Sequence, residues 1–286
     1  MTVIEFSSFR KAGYRTPPAG GFTLIEMAVA MFIIALLLGS ILVPLQTQIE
    51  SRNFENTQRI LDQAREALIG FAAANGRFPC PASATSNGAE DFSVAGNAAN
   101  GICDATVTGA SVYHGFLPAA TLGVTPVDAN GYGLDAWERS PQNRIRYAVS
   151  NVTVNAITQP FTRANGMRSA GMSNIANATT LLYVCNSGTG GAAMTAGTNC
   201  GTAATLTSNT PAVIWSVGPN AATTGGVSTD EQQNPNPDPT IAGFSADRIF
   251  VSRTKSGGTS GEFDDIVTWL SPPALFNRLI AAGQLP

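Results

Sequence analysis

Residues 19–43 read AGGFTLIEMAVAMFIIALLLGSILV, and this stretch decides how the rest of the chain is organised. Seventeen consecutive residues, Met27 to Val43, carry no charge. With residues 22–25 and Leu45, the apolar stretch is long enough as a helix to cross a hydrocarbon layer of about 30 Å. A secretory signal peptide has a shorter apolar region, and a helix of a soluble core rarely lacks charge for so long. The sequence therefore predicts a transmembrane helix over residues 22–45.

The charged residues on either side of this helix predict its orientation. Arg10, Lys11 and Arg15 precede it, whereas Glu50 is the first charged residue after it. Positively charged flanks stay on the cytoplasmic side, so the residues after the helix are expected to cross the membrane. In a bacterium that side is the periplasm. Four cysteines, an even number, suit such an oxidising compartment.

The helix is expected to continue beyond the membrane as an amphipathic segment over residues 46–75. Apolar residues recur there at spacings of three and four, which gives one apolar stripe. These residues are Leu61, Ala64, Leu68 and Phe71. Asn75-Gly76, with Pro79 shortly after, predicts the end of the helix.

Residues 76–286 are expected to form a globular head of strands joined by long polar loops. Five runs rich in β-branched and aromatic residues predict strands, at 144–149, 181–185, 212–217, 248–252 and 266–270. The polar residues between the runs favour antiparallel connections. A capped helix is predicted to start at Ser271 and end at Gly283. The fold class is therefore α+β, a long helix packed on an antiparallel sheet.

The start of the apolar stretch resembles the cleavage and methylation motif of type IV pilins and type II secretion pseudopilins. In that family a membrane peptidase cuts after a glycine and methylates the phenylalanine that follows. The resemblance implies a leader over residues 1–21, cleavage between Gly21 and Phe22, and N-methylation of Phe22. It also implies an assembly role for Glu26, whose carboxylate would neutralise the Phe22 amine of a neighbouring subunit.

Three stretches of the head are similar to the major pseudopilins. Asp135-Ala-Trp-Glu138 is similar to an Asp-x-Trp-Gly segment at the start of their sheet, with glutamate in place of the glycine. Residues 262–269, EFDDIVTW, are similar to the end of their sheet. Residues 215–220, WSVGPN, belong to the same similarity. The loop between residues 220 and 262 is longer here than in the family, and a further helix follows the last strand.

The same resemblance implies a calcium site near the last strand, with Asp264 and Asp265 as ligands beside Glu262. Two positions depart from the family pattern, because Phe263 and Asn220 stand where acidic residues are expected. Calcium needs six to eight oxygen ligands, which these residues and nearby carbonyls could supply. A solvated acidic turn without metal is the alternative.

The cysteines admit three pairings. Cys80–Cys103 and Cys185–Cys200 close the shortest loops and are the predicted disulfides, although the other pairings stay open from sequence. No Cys-x-x-Cys spacing occurs, which argues against zinc.

The residue inventory argues against catalysis and against a nucleic-acid partner. His114 is the single histidine, and no nucleophile, phosphate-binding or metalloprotease motif occurs. The net charge is −3, and −5 for the thirteen basic and eighteen acidic residues after Gly21. A local basic stripe nevertheless stays open, formed by Arg139, Arg144, Arg146, Arg163 and Arg168.

The sequence therefore predicts a non-enzymatic filament subunit, without a cofactor apart from the calcium considered above. Its expected partners are prepilin peptidase, other pilin subunits, membrane lipid, and an inner-membrane assembly platform with its ATPase. Its expected location is the inner membrane, with the head in the periplasm, and later a periplasmic or surface filament. The alternative is a minor pilin whose head acts as an adhesin or binds a ligand or DNA.

Overall fold

A computed structural model of the protein describes residues 21–104, 107–109, 112–221, 228–234, 248–257 and 262–285. Side chains at 39–45, 107–109 and 195 lie outside this description. The predicted leader, apart from Gly21, and residues 235–247 also lie outside it. The chain divides after Glu50 into two compact units.

The first described element is one long helix, α1, from Leu24 to Asn75. Its residues up to Glu50 belong to the first unit, and the rest belong to the second. The helix ends where the Asn75-Gly76 pair predicts, with Gly76 at a left-handed φ of 66° and its N–H donating to Ala72 O at 2.8 Å. Within the described residues, no helix combines the length and apolarity that a bilayer crossing requires.

The second unit contains two sheets. The larger sheet has the strand order β1-β2-β3-β6-β8, and every neighbouring pair in it is antiparallel. Its strands are β1 Val107–Gly109, β2 Val112–Phe116, β3 Arg146–Ser150, β6 Ala212–Ser216 and β8 Ile266–Trp269. The α+β class predicted from the sequence is therefore confirmed.

The smaller sheet has the order β5-β4-β7. Its strands are β4 Leu182–Cys185, β5 Thr205–Thr210 and β7 Ile249–Val251. Strands β4 and β7 are parallel, so the expectation of antiparallel pairing throughout is wrong for this pair. The long chain between these strands makes the parallel pairing possible, because parallel strands need a long crossover.

Short helices occupy several connections, and one longer helix ends the described chain. The short ones are α2 Ala119–Leu122, α3 Gly166–Ala170, α4 Met172–Ala176, α5 Ala192–Thr195 and α6 Thr229–Gln232. The longer helix, α7, spans Pro272–Ala281 with proline in its first turn, as the sequence predicts. Helix α6 lies in a polar segment for which the sequence analysis predicts a loop. The sequence pattern that indicates this helix is the Ser228-x-x-Glu231 capping box, which the structure forms.

The two faces of the larger sheet contribute to two different cores, because neighbouring residues of a strand point to opposite faces. Tyr147 and Ile214 belong to the core that also contains the buried stripe of α1 and the buried face of α7. Ala148 and Trp215 belong to a second core, which includes Val184 and Phe250 of the smaller sheet. The head is therefore layered as helix, sheet and sheet.

Sequence analysis does not predict strand β2, because its fourth residue, Gly115, resembles a strand breaker. The glycine is required by a close backbone approach. A Cβ at this position would lie 2.6 Å from Pro81 Cβ and 2.7 Å from the Ala82 carbonyl oxygen. Both neighbours come from the segment that bridges to Phe116.

Both predicted disulfides are present, Cys80–Cys103 and Cys185–Cys200, and no cysteine is free. They close loops of 23 and 15 residues. By the chain-entropy argument each restricts the unfolded chain and stabilises the head by about 2–4 kcal/mol.

Replacing Gly70 by alanine is expected to stabilise the head. Gly70 lies within α1, and a Cβ there would meet nothing within 4 Å, so the gain is the helix propensity of alanine, about 0.5–1 kcal/mol. Denaturant unfolding of the disulfide-intact protein measures this gain. The fully buried Leu68 provides the contrast, since Leu68→Ala should cost about 2–5 kcal/mol. A destabilised Gly70→Ala protein would contradict the assignment of this position to an open helix surface.

Candidate functional site

The first turn of α1 is organised by a reciprocal cap between Thr23 and Glu26. The Glu26 N–H donates to Thr23 Oγ1 at 3.3 Å, and the Thr23 N–H and hydroxyl both donate to Glu26 Oε2 at 2.9 Å. This is a capping box, in which threonine before the first turn and glutamate three residues later satisfy each other's donors. The Glu26 carboxylate is exposed and acts locally as a helix cap. Sequence reasoning missed the role of Thr23, although Thr-x-x-Glu is its known signature.

The bond between Gly21 and Phe22 precedes this cap and lies outside any helix or strand. Phe22 is 82% exposed. A Cβ at Gly21 would meet no atom of the described residues within 4 Å, so packing within that part of the chain does not require glycine there. The described residues therefore supply no packing reason for this glycine.

The first part of α1 exposes a series of apolar side chains that, within the helix, only Glu26 interrupts among residues 24–38. The exposed large ones are Phe22, Leu24, Ile25, Met27, Val29, Met31, Phe32, Ile33, Ile34, Leu36, Leu37 and Leu38. They lie on all sides of the helix. A monomeric soluble protein rarely exposes so much contiguous apolar surface, and such surfaces mark contacts with proteins or lipid.

A second candidate site is a group of three buried carboxylates, Glu231, Asp264 and Asp265, which we call the acidic cluster. Ligand-type oxygens of the three lie within 4.8 Å of one another. Asp264 and Asp265 come from the chain before β8, whereas Glu231 comes from α6. Glu262, which the sequence analysis placed beside them, is not in the cluster. Only the tertiary fold brings Glu231 there, so no local sequence signal indicates it.

Protein N–H groups already point at the acidic cluster. Glu231 Oε1 accepts the Asp264 N–H at 3.0 Å and the Asn220 side-chain amide at 3.3 Å. Asp265 Oδ2 accepts the Asn234 side-chain amide at 2.7 Å, and Asn234 Oδ1 accepts the Val251 N–H at 2.8 Å. The cluster is thus tied to α6 and β7 by hydrogen bonds.

The acidic cluster concentrates negative charge, part of which the nearby charge of Arg146 offsets at Asp265. Three ionised carboxylates in a buried place repel one another, and either protons or a cation can relieve the repulsion. Burial, with the nearby charges of Glu231 and Asp264, raises the pKa of Asp265 well above its ordinary value, although the hydrogen bond from Asn234 opposes the shift. The oxygen donors also fit the ligand chemistry of calcium. Calcium at Asp264 and Asp265 therefore stays a prediction.

Two of the five arginines that could have formed a basic stripe on the surface are buried inside the head. Arg144 is buried and pairs with Asp128 at 2.7 Å. Arg146 is buried and donates to the carbonyl oxygens of Arg144 and Gln142. A five-arginine surface stripe is therefore wrong, because two of its members lie in the interior.

His114, the single histidine, is fully buried in the second core. Its ring centroid lies 5.7 Å from that of Phe250 and 6.1 Å from that of Trp215. These surroundings are those of a packed core residue.

One comparison with known proteins gives a result. A family profile described as the prokaryotic N-terminal methylation motif matches residues 18–42. These residues include Gly21, Phe22 and Glu26. No characterised protein and no solved structure gave a significant match.

Asp265→Asn is expected to make the head more stable at neutral pH. Because the pKa of Asp265 is raised in the folded state, its contribution is fully present below the unfolded pKa and is lost as the pH rises through the folded pKa. Asparagine cannot ionise and can still accept from Asn234. The difference in unfolding temperature between variant and wild type, measured with chelator, should therefore grow from pH 4 to pH 8.

The control is Asp104→Asn, which removes an exposed carboxylate outside the acidic cluster. A constant difference for Asp265→Asn over this pH range would contradict the raised pKa. Repeating the series with calcium tests the metal prediction, since a cation bound to the cluster would raise the unfolding temperature of the wild type and not that of Asp265→Asn.

Proposed function

We propose that this chain, which carries the N-terminal methylation motif typical of type IV pilins and pseudopilins, is a structural subunit of a type IV pilus-like or type II secretion filament. The observation that carries the proposal is the coincidence of this motif with the exposed Gly21-Phe22 bond and the exposed apolar start of α1. A surface of this kind needs a partner, and a filament of like helices provides one.

Processing begins with prepilin peptidase. The enzyme cleaves after Gly21 and methylates the amine of Phe22. The open surroundings of Gly21 support this step, because glycine there serves no packing need among the described residues. Cleavage leaves Thr23 and Glu26 in place at the start of the helix.

Before assembly the subunit lies in the inner membrane as a single-pass protein. Residues 22–45 cross the bilayer, the leader faces the cytoplasm, and the head lies in the periplasm. Support comes from the seventeen charge-free residues and the basic residues before them. The two disulfides of the head suit the periplasm.

Assembly transfers the apolar part of α1 from lipid to a bundle of like helices. An inner-membrane platform and its ATPase drive this transfer, since lipid and bundle are about equally apolar and little hydrophobic gain is available. Glu26 neutralises the Phe22 amine of a neighbouring subunit and so sets the register of the helices. The protein has no catalytic role in this scheme.

A minor pilin whose head acts as an adhesin or ligand-binding module is the second candidate function. DNA is a poor candidate ligand, because the mature chain carries a net charge of −5 and two of its central arginines are buried. Salt-dependent retention of DNA by the protein would reverse this assessment.

Gly21→Asp is expected to block processing. The larger, charged side chain should prevent recognition by the peptidase, while the open surroundings leave the fold intact. Gel electrophoresis should show a protein that retains its leader and both disulfides. Gly70→Ala is the matched control, since Gly70 is also unhindered. The leader of this variant should be removed normally. Mature-sized protein from Gly21→Asp would contradict the proposed cleavage.

Glu26→Leu is expected to be inserted and cleaved but excluded from filaments. Without the carboxylate, the Phe22 amine of the neighbour stays uncompensated in an apolar bundle, at a cost of several kcal/mol. Filament recovery with the variant as the sole copy, beside a cleavage assay, measures the effect.

Glu26→Gln separates the two contacts of this residue. Its amide oxygen can still accept from Thr23, so the cap survives while the charge is lost. The ion-pair role predicts that Glu26→Gln is also excluded. If Glu26→Gln enters filaments while Glu26→Leu does not, the cap is the essential contact.

A further inference from the structure

A polar groove runs along one side of the second part of α1. It has a volume of about 490 Å³, which is in the size range of small-molecule sites. Its walls are residues of α1 on one side and the segment at 126–138 on the other. The lining residues are Asn53, Asn56, Arg59, Ile60, Gln63, Pro126, Ala136 and Glu138. We call it the α1 groove.

The two walls of the α1 groove are fixed to each other. The Ala136 N–H donates to the hydroxyl of Thr57, a buried residue of α1, at 3.1 Å. Next to it, Asp135 is buried and accepts from Ser216 Oγ at 2.5 Å and from the Asn143 amide at 2.7 Å. The wall that carries Ala136 and Glu138 is therefore anchored to α1 and to the sheet before any ligand arrives.

Glu138 occupies the groove at a conformational cost. Its φ is 53°, in the left-handed region that favours glycine. A glutamate held in an unfavourable backbone conformation, exposed at the edge of a groove, indicates that its side chain is useful there.

The lining of the α1 groove has a definite chemical character. One guanidinium, Arg59, and one carboxylate, Glu138, balance each other in charge, and in the described part of the chain neither forms an ion pair. The three amide side chains, Asn53, Asn56 and Gln63, carry both donors and an acceptor, and Asn56 Oδ1 already accepts from Arg59, which holds these two side chains in place in the groove. Ile60, Pro126 and Ala136 add small apolar surfaces.

We propose that the α1 groove binds an uncharged carbohydrate. Hydroxyl groups both donate and accept hydrogen bonds, as amide side chains do, and the C–H faces of a sugar ring fit the apolar surfaces. A strongly anionic ligand would be opposed by Glu138, and an apolar ligand would leave the amides unpaired. This proposal does not depend on filament assembly.

The experiment uses the full chain in a detergent without a sugar headgroup, so that the detergent does not compete. The probes are two uncharged disaccharides, N,N′-diacetylchitobiose and cellobiose, with the anionic digalacturonate for comparison. Saturation-transfer NMR and titration should detect binding of at least one uncharged disaccharide and no binding of digalacturonate. Arg59→Ala and Asn56→Ala should each weaken binding at least tenfold.

Two control variants keep the result specific. Arg52→Ala removes an exposed arginine from the same helix outside the groove and should bind as the wild type does. Glu138→Gly should bind more weakly without a lower unfolding temperature, because glycine adopts a positive φ without strain.

Three outcomes would overturn the proposal. One is the absence of binding by either uncharged disaccharide. Another is binding that Arg59→Ala and Asn56→Ala leave unchanged. The third is a groove occupied by a second copy of the chain, shown by Arg59→Ala binding sugar normally while losing cross-linking between subunits.

Discussion

The packing of one stripe of α1 on the larger sheet is the constraint on which the head depends. Leu61, Ala64 and Leu68 of this stripe are completely buried, and they share a core with strands β2, β3 and β6 and with α7. The same helix is apolar on all sides in its first part, where no described core receives it. One helix therefore has two kinds of surface, an exposed apolar surface in its first part and a single buried stripe in its second part. The reason is that its hydrophobic pattern changes along its length.

Asp135 connects the parts of the head that this packing brings together. Its carboxylate accepts from Ser216 at the end of β6, from Asn143 and from the Trp137 N–H. Burial raises the pKa of Asp135, and these hydrogen bonds oppose the shift. The neighbouring Ala136 N–H bonds to Thr57 of α1. A few buried polar contacts therefore fix the loop against both helix and sheet, where an unpaired partner would be costly.

The sequence predicts what local patterns encode. The end of α1 follows from Asn75-Gly76, and strands such as β6 follow from continuous apolar runs. Strand β5 does not follow from such a run, because its threonines, serine and asparagine are typical of a loop. Its pairing with β4 is what stabilises it. The parallel partner of β4 and the arrival of Glu231 beside Asp265 depend on contacts between residues far apart in the chain. Local propensity cannot specify such contacts.

The capping box at the start of α1 changes how the charge of Glu26 should be understood. Within one subunit its carboxylate already accepts two hydrogen bonds from Thr23. An ion pair with the amine of a neighbour therefore adds to, or replaces, an existing contact, so its net contribution is smaller than that of a bond formed by a free carboxylate. The penalty for removing the charge is not reduced in the same way, because the neighbour's amine would be left alone in an apolar bundle. The ion pair is thus better suited to select one helix register than to drive polymerisation.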